Sequence, residues 1–200
     1  MQLVKPSVEI LHISTEALQL IETAGRVCYK SEDKITEASA PDFAAMIMKR
    51  GHESVIEHAT ATVRFITDRG VTHEIVRHRI ASFSQESTRY CDYGKMGIRF
   101  IIPGDFELDD NDLILLRAIE THYNHCLFIG RSPQQARYFL PNGLKTEIIM
   151  TANFREWRHF LKLRTSAAAH PQMREVAIPL LEEFKVRVPI LFADVTGYLS

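Results

Sequence analysis

Two hundred residues with 46% hydrophobic content fit one globular domain, residues 1–200, with a sizeable core. A formal net charge of −1 excludes a general nucleic-acid binder, whose footprint is a strongly basic chain. Three scattered cysteines with no CxxC pair, and no signal peptide or run of about 18 apolar residues, point to a reduced, cytoplasmic, membrane-free protein.

Residues 8–13 alternate enough to open the chain with a strand. Ser14 or Thr15 then caps a helix through Tyr29, whose apolar face is Ala17, Leu18, Ile21 and Ala24. A polar loop over 31–36 leads to a second helix over 42–49, with Pro41 in its first turn and Gly51 as its stop. From His58 onward, Ala59, Ala61, Val63 and Phe65 alternate with Thr60, Thr62, Arg64 and Ile66, which is a strand pattern. His52 and His58 are six apart, a spacing that matches no common metal-ligand pattern, so no metal is expected there.

The stretch 74–90, EIVRHRIASFSQESTRY, carries Arg77, Arg79, Arg89 and His78, with Glu86 its only acid between Arg79 and Arg89. Arginine forks grip phosphate oxygens bidentately, and Gln85, Ser87 and Thr88 add neutral hydrogen bonds, so a small phosphorylated ligand fits. Val71, Ile75 and His78 share a helical stripe, which predicts a helix entered after Gly70, ending near Arg79 and followed by an irregular ligand-lining segment. An Arg-rich helix end also suits a solvated C-terminus that complements the helix dipole.

Residues 99–103 read as a short strand, and Asp109, Asp110 and Asp112 open a long helix to about Phe128. His122 and His125 near its end read as surface or interface groups. Ser132-Pro133 caps a helix that carries Arg137 and ends at Pro141, and residues 145–151 read as a strand. In the block 153–164, NFREWRHFLKLR, helical spacing puts Arg155 and His159 on one face and Arg164 about 180° away. Opposed polar anchors suit a subunit interface, whereas a plain amphipathic helix would leave them solvated. The last stretch is helical through about Lys185, kinked at Pro179, with Val176, Leu180, Leu181 and Phe184 as core or interface.

Arg77-His78-Arg79 followed after seven residues by Ser87 resembles the RHRx7S pattern of the flavin-dependent thymidylate synthases, and the match continues through Arg89-Tyr90. The segment beginning Gly51-His52-Glu53-Ser54 and the pattern N-x-R-x3-H-x4-R over 153–164 resemble the flanking motifs of that family. The resemblance implies an α+β fold, a twisted mixed or antiparallel sheet with a helical layer, assembled as a homo-oligomer, by family expectation a tetramer with shared sites. It implies methylene transfer from 5,10-methylenetetrahydrofolate to dUMP, with reduction through FAD and NADPH as the electron source. Arg164 matches the position of the family's ionising residue. Arg89 and Arg137 match its phosphate positions, with Ser87, Thr88 and the 85–88 backbone assisting. Glu74, Ile75, Val76, Arg77, Gln85 and Glu86 complete the expected dUMP contacts. His52, Ser54, Arg77, His78, Arg79, Gln85, Asn153, Phe154, Arg155 and His159 are the expected cofactor contacts, and no metal is implied.

No GxGxxG follows a strand, so the flavin is implied by the resemblance alone. A phosphate-binding regulatory protein, or a flavoprotein reductase of another substrate class, also fits the residues. Cys28 and Cys126 read as packing positions, and Cys91 as the one cysteine near the motif. The resemblance implies that none is needed as a nucleophile.

Overall fold

The computed structural model describes residues 1–197. Its elements are β1 (Gln2–Val4), β2 (Ser7–Ile13), α1 (Ala17–Val27), α2 (Ser39–Arg50), β3 (Thr60–Asp68), α3 (Arg69–Ile75), β4 (Ala81–Gln85), α4 (Tyr93–Met96), β5 (Arg99–Ile101), α5 (Asp110–Phe128), α6 (Pro133–Ala136), β6 (Lys145–Asn153), α7 (Phe154–Arg164), α8 (Pro171–Arg187) and α9 (Pro189–Phe192). Short 3-10 turns lie at Glu32–Lys34, Glu53–His58 and Arg137–Phe139.

The expected α+β architecture is present, built on an antiparallel sheet in the order β2-β3-β6-β4. β3 and β6 pair along their whole length, from Thr60 opposite Asn153 to Asp68 opposite Lys145. Period-two alternation turns Ala61, Val63, Phe65, Ile148, Met150 and Ala152 to one face. There they join Trp157, Phe160, Leu180, Leu181 and Phe184 in the main core. The opposite face carries polar groups, among them Thr62 and Thr151, which hydrogen-bond across the strands at 2.9 Å. A second apolar cluster, Tyr93, Phe100, Tyr123, Cys126, Ala136 and Leu144, lies under α5, next to the parallel pair β1-β5.

Several local expectations change. Ser14 does not cap α1: its hydroxyl donates to the Thr60 carbonyl at 3.1 Å, clipping β2 to β3, and the cap position is Glu16, in left-handed backbone at φ 54°. The helix ends at Val27, so Tyr29 and Cys28 lie beyond its packed stripe, and Cys28 is exposed rather than packed. α2 begins three residues ahead of Asp42, at Ser39, and stops as expected at Gly51, whose φ of 68° favours glycine. The third strand starts at Thr60, where its ladder with Asn153 begins, not at His58. β1 was not foreseen, because three residues leave no periodicity to read.

The largest departure lies in the central stretch. Asp68, not a residue after Gly70, caps α3, accepting from the Val71 amide at 2.8 Å. The helix stops at Ile75, four residues short of Arg79, and tightens through Arg77 N–H to Glu74 O and His78 N–H to Ile75 O. Val71, Ile75 and His78 are still all buried, because the turn carries His78 inward against α7. Residues 81–85, expected to be irregular, form β4, an edge strand whose Ala81 faces Ala152 and whose Gln85 faces Ile148.

Candidate active site

α7 is the platform of the site. Asn153 caps it, its side chain accepting from the Glu156 amide at 2.9 Å, and Phe154, Trp157, Phe160 and Leu161 form the buried stripe. The Trp157 indole donates to the Ala61 carbonyl at 3.0 Å, tying the helix to the sheet. Arg158 is buried, grips Asp194 bidentately at 2.6 and 2.7 Å, and donates to the Leu191 carbonyl and to Glu53. That hydrogen-bonded pairing holds the Asp194 carboxyl below its ordinary range. The N-terminal half of the helix is thereby fixed to the sheet, to the 53–58 turn and to the chain around α9.

Its outer face borders a cavity of about 550 Å³, lined by Asn153, Arg155, Arg158, His159, Lys162, Ile80 and the carboxylates Glu53, Glu57 and Glu156. Arg155 pairs with Glu57 at 2.5 Å, both side chains largely exposed. Arg155, His159 and Asn153 were expected together, and the fold brings them together. His52, just before the neighbouring 3-10 turn, and Ser54 on it are exposed and outside that lining, whereas Glu53 and Glu57 of the turn are in it.

The C-terminal end of α7 carries Arg164. Its Nη1 donates to Glu74 Oε2 at 2.8 Å, its Nη2 to the Glu74 carbonyl at 3.1 Å and its Nε to His78 Nε2 at 3.0 Å. On its other side His78 Nδ1 meets Glu156 Oε1 at 3.1 Å. Burial pushes the His78 imidazole below its ordinary value; Glu156 opposes that shift and the Arg164 charge adds to it. His78, Glu156 and His159 are a cluster with metal-ligand atoms among the described residues. Both His78 ring nitrogens are already hydrogen-bonded, however, and a cationic guanidinium sits against one of them.

A third group forms on the turn 86–89. Arg89 Nε donates to Gln134 Oε1 at 2.6 Å, and Arg137 Nη1 donates to Thr88 Oγ1 at 3.3 Å. Ser87 Oγ accepts from the Arg89 amide at 3.3 Å. Glu86 is held from behind by the Tyr93 hydroxyl at 2.7 Å and by buried Lys145 at 3.0 Å. Burial, reinforced by the Glu86 carboxylate, raises the Tyr93 phenol well above its ordinary value. Gln85 donates to Thr72 Oγ1 at 2.9 Å and, with Glu86, borders a second cavity of about 430 Å³ on the open side of the sheet.

The remaining expected residues divide by burial. Arg77, Arg79 and Val76 are exposed. Ile75 and Phe154 are fully buried in the core, so only their backbone remains for a ligand within one chain. No hydrogen bond or ion pair among the described residues links the 86–89 turn to Arg164. Sequence reasoning missed Glu156, Lys145, Tyr93, Gln134 and Lys162, and gave no role to Glu57, which lies in the motif that begins at Gly51. Of the five missed, Glu156 carried a signal, standing three residues after the cap Asn153 as in a capping box. Its side chain turns to His78 instead.

The sequence profile of the family described as Thymidylate synthase complementing protein matches residues 9–190. The chain is 39% identical over 196 residues to a flavin-dependent thymidylate synthase of Corynebacterium efficiens, covering 88% of this chain and 78% of that one. It is 36% identical over 199 residues to the enzyme of that name from Mycobacterium tuberculosis, with the same coverage. Among solved structures, the UMP/dUMP methylase PolB from Streptomyces cacaoi, bound with 5-Br dUMP, superposes with a TM-score of 0.79 at 25% identity, covering 96% of each chain. Profile, relatives and fold agree with the RHRx7S signature: the chain belongs to the flavin-dependent thymidylate synthase family.

Proposed function

We propose that the chain converts dUMP to dTMP, taking the carbon from 5,10-methylenetetrahydrofolate and electrons from NADPH through FAD. The observation that carries this reading is the environment of Arg164. Three of its five N–H groups are engaged by Glu74 and His78, which leaves two for a ligand. A nucleophilic uracil C5 pushes negative charge onto the N3–C4–O4 edge of the ring. A fixed guanidinium at that edge stabilises the charge as it develops, and it stays protonated throughout. Arg89 and Arg137 hold the phosphate, with Ser87 and Thr88 between them.

The cavity beside α7 offers Arg155, Lys162, His159 and Asn153 as donors to a flavin nucleotide's pyrophosphate and ring edges, with Arg155 exchanging its Glu57 partner for the ligand. The flavin, when bound, supplies the electrons of the reduction. Arg155 and Arg164 leave α7 on opposed sides, so sites shared between copies use both. Exposed Ile114, Leu115, Phe128 and Tyr138 offer apolar area for such an assembly. We take it as a homo-oligomer, a tetramer by family expectation, of single-domain chains. A cytoplasmic setting suits the free thiols of Cys28, Cys91 and Cys126, and among the described residues no helix is long and apolar enough to cross a membrane.

The test is the visible spectrum of the purified protein, followed by oxidation of its reduced flavin on adding dUMP and methylenetetrahydrofolate. A flavin spectrum with oxidation that needs both additions, and dTMP as product, is expected. A colourless protein that binds dUMP without turnover would favour a regulatory role. Flavin without dUMP-dependent oxidation would favour a reductase of another class.

A further inference from the structure

A guanidinium has N–H donors and no acceptor, so a nitrogen that meets it must bring a lone pair. Arg164 Nε lies 3.0 Å from His78 Nε2. Nε2 is therefore the bare nitrogen, and the proton of the neutral ring sits on Nδ1, where Glu156 Oε1 accepts it at 3.1 Å. Both partners are buried, with the His78 side chain 3% and the Glu156 side chain 9% exposed. Glu156 is not spent on capping its helix, since Asn153 does that. A buried carboxylate is costly unless hydrogen-bonded, and His78 is the side-chain partner it has.

We propose that Glu156 is a positioning residue: by accepting the Nδ1 proton of His78, it presents a bare Nε2 to Arg164 and so aims the guanidinium. This rests on Arg164 being the group that meets the pyrimidine.

The groups that face His78 are few. α7 supplies Glu156, Arg164 and, at 5.6 Å between ring centroids, His159, while Phe160 packs its edge at 4.8 Å. α3 supplies Glu74, which takes Arg164 Nη1 and lies 3.3 Å from His170 Nδ1. Protonating His78 places an N–H and a positive charge against Arg164, so the aim is lost on the acid side. The Glu156 charge favours that protonation, whereas burial and Arg164 resist it. Glu156→Gln keeps an acceptor for Nδ1–H but removes the charge, so His78 should take its proton at lower pH than in the wild type. Glu156→Ala removes the acceptor and frees the tautomer.

Nitrogen NMR of histidine-labelled protein reads the tautomer, and kinetics across pH reads the aim. The wild type should show His78 protonated on Nδ1. Glu156→Gln should keep that tautomer and move the acid limb of kcat to lower pH. Glu156→Ala should lose the tautomer and on the order of 100-fold in kcat read at saturating FAD, the scale of a small misplacement of a catalytic group, with KM for dUMP little changed. A wild-type His78 protonated on Nε2, an acid limb in Glu156→Gln that stays or moves up, or normal kcat in Glu156→Ala would each overturn the proposal. If Glu156→Ala does not fold, the wild-type spectrum and Glu156→Gln decide. If the wild type makes no dTMP but His78 shows the Nδ1 proton, the reading of the reaction fails while the tautomer assignment stands, and the aiming role falls with the reaction.

Discussion

Arg137 Nη1 donates to Thr88 Oγ1 at 3.3 Å across 49 residues of chain. That contact brings the end of α6 onto the turn that carries Arg89, whose own partner is Gln134 of the same short helix. Two guanidiniums therefore converge on one turn within a single chain.

Arg89→Ala and Arg137→Ala should chiefly raise KM for dUMP, each by about 10- to 100-fold, the scale of a lost hydrogen bond to a charged group. Lys replacements should recover part of the loss, because a point charge keeps attraction without the bidentate fork. Steady-state kinetics checks this; a fall in kcat at unchanged KM would remove both residues from the phosphate.

Arg164→Ala should lower dTMP formation by about 100- to 1,000-fold, the scale seen when one preorganised stabiliser of transition-state charge is deleted. Flavin absorbance should persist. Arg164→Lys should be a poor substitute, because one ammonium cannot satisfy Glu74 and His78 at once and still face a ligand. Near-normal turnover in Arg164→Ala would end its assigned role.

Lys145 is 3% exposed and sits between Glu86 at 3.0 Å and Glu147. Removing one member of a buried ion pair leaves its partner uncompensated, so Lys145→Ala should cost about 3–5 kcal/mol of stability. Because Lys145 is also a strand residue of β6, the loss should appear in the melting temperature. A variant that melts with the wild type would show that Glu86 is solvated rather than held.

Sites shared between copies predict complementation. Hybrids of an Arg164→Ala subunit with an Arg155→Ala subunit should recover activity that neither homo-oligomer has. No recovery, together with a monomeric mass by light scattering, would refute sharing.

Cys28 is exposed, Cys91 half-buried beside the smaller core and Cys126 buried within it. None touches Arg164, His78, Arg89 or Arg137 through a side-chain hydrogen bond among the described residues. Cys91→Ser should be nearly neutral in turnover, and the triple Cys→Ser variant active if it folds. Loss of activity in a folded, flavin-loaded Cys91→Ser protein would instead make Cys91 a thiolate nucleophile.

Much of the frame was legible in the residue pattern. The alternation from Ala59 to Phe65 and the acidic start of α5 each depend on neighbours a few positions away, and each is present. Helical spacing alone separated Arg155 and His159 from Arg164, since 3.6 residues per turn leaves no other arrangement on one helix. What the chain could not declare locally is which polar group meets which. β4 exists because an open edge of β6 pairs with it. His78 is a bare-Nε2 tautomer because Arg164, 86 residues away, has only donors to offer, and Glu156, 78 residues away, takes the other proton. Periodicity encodes the apolar face of an element. The partners of a buried polar group are set by where the packed faces bring distant side chains, and only the tertiary structure decides that.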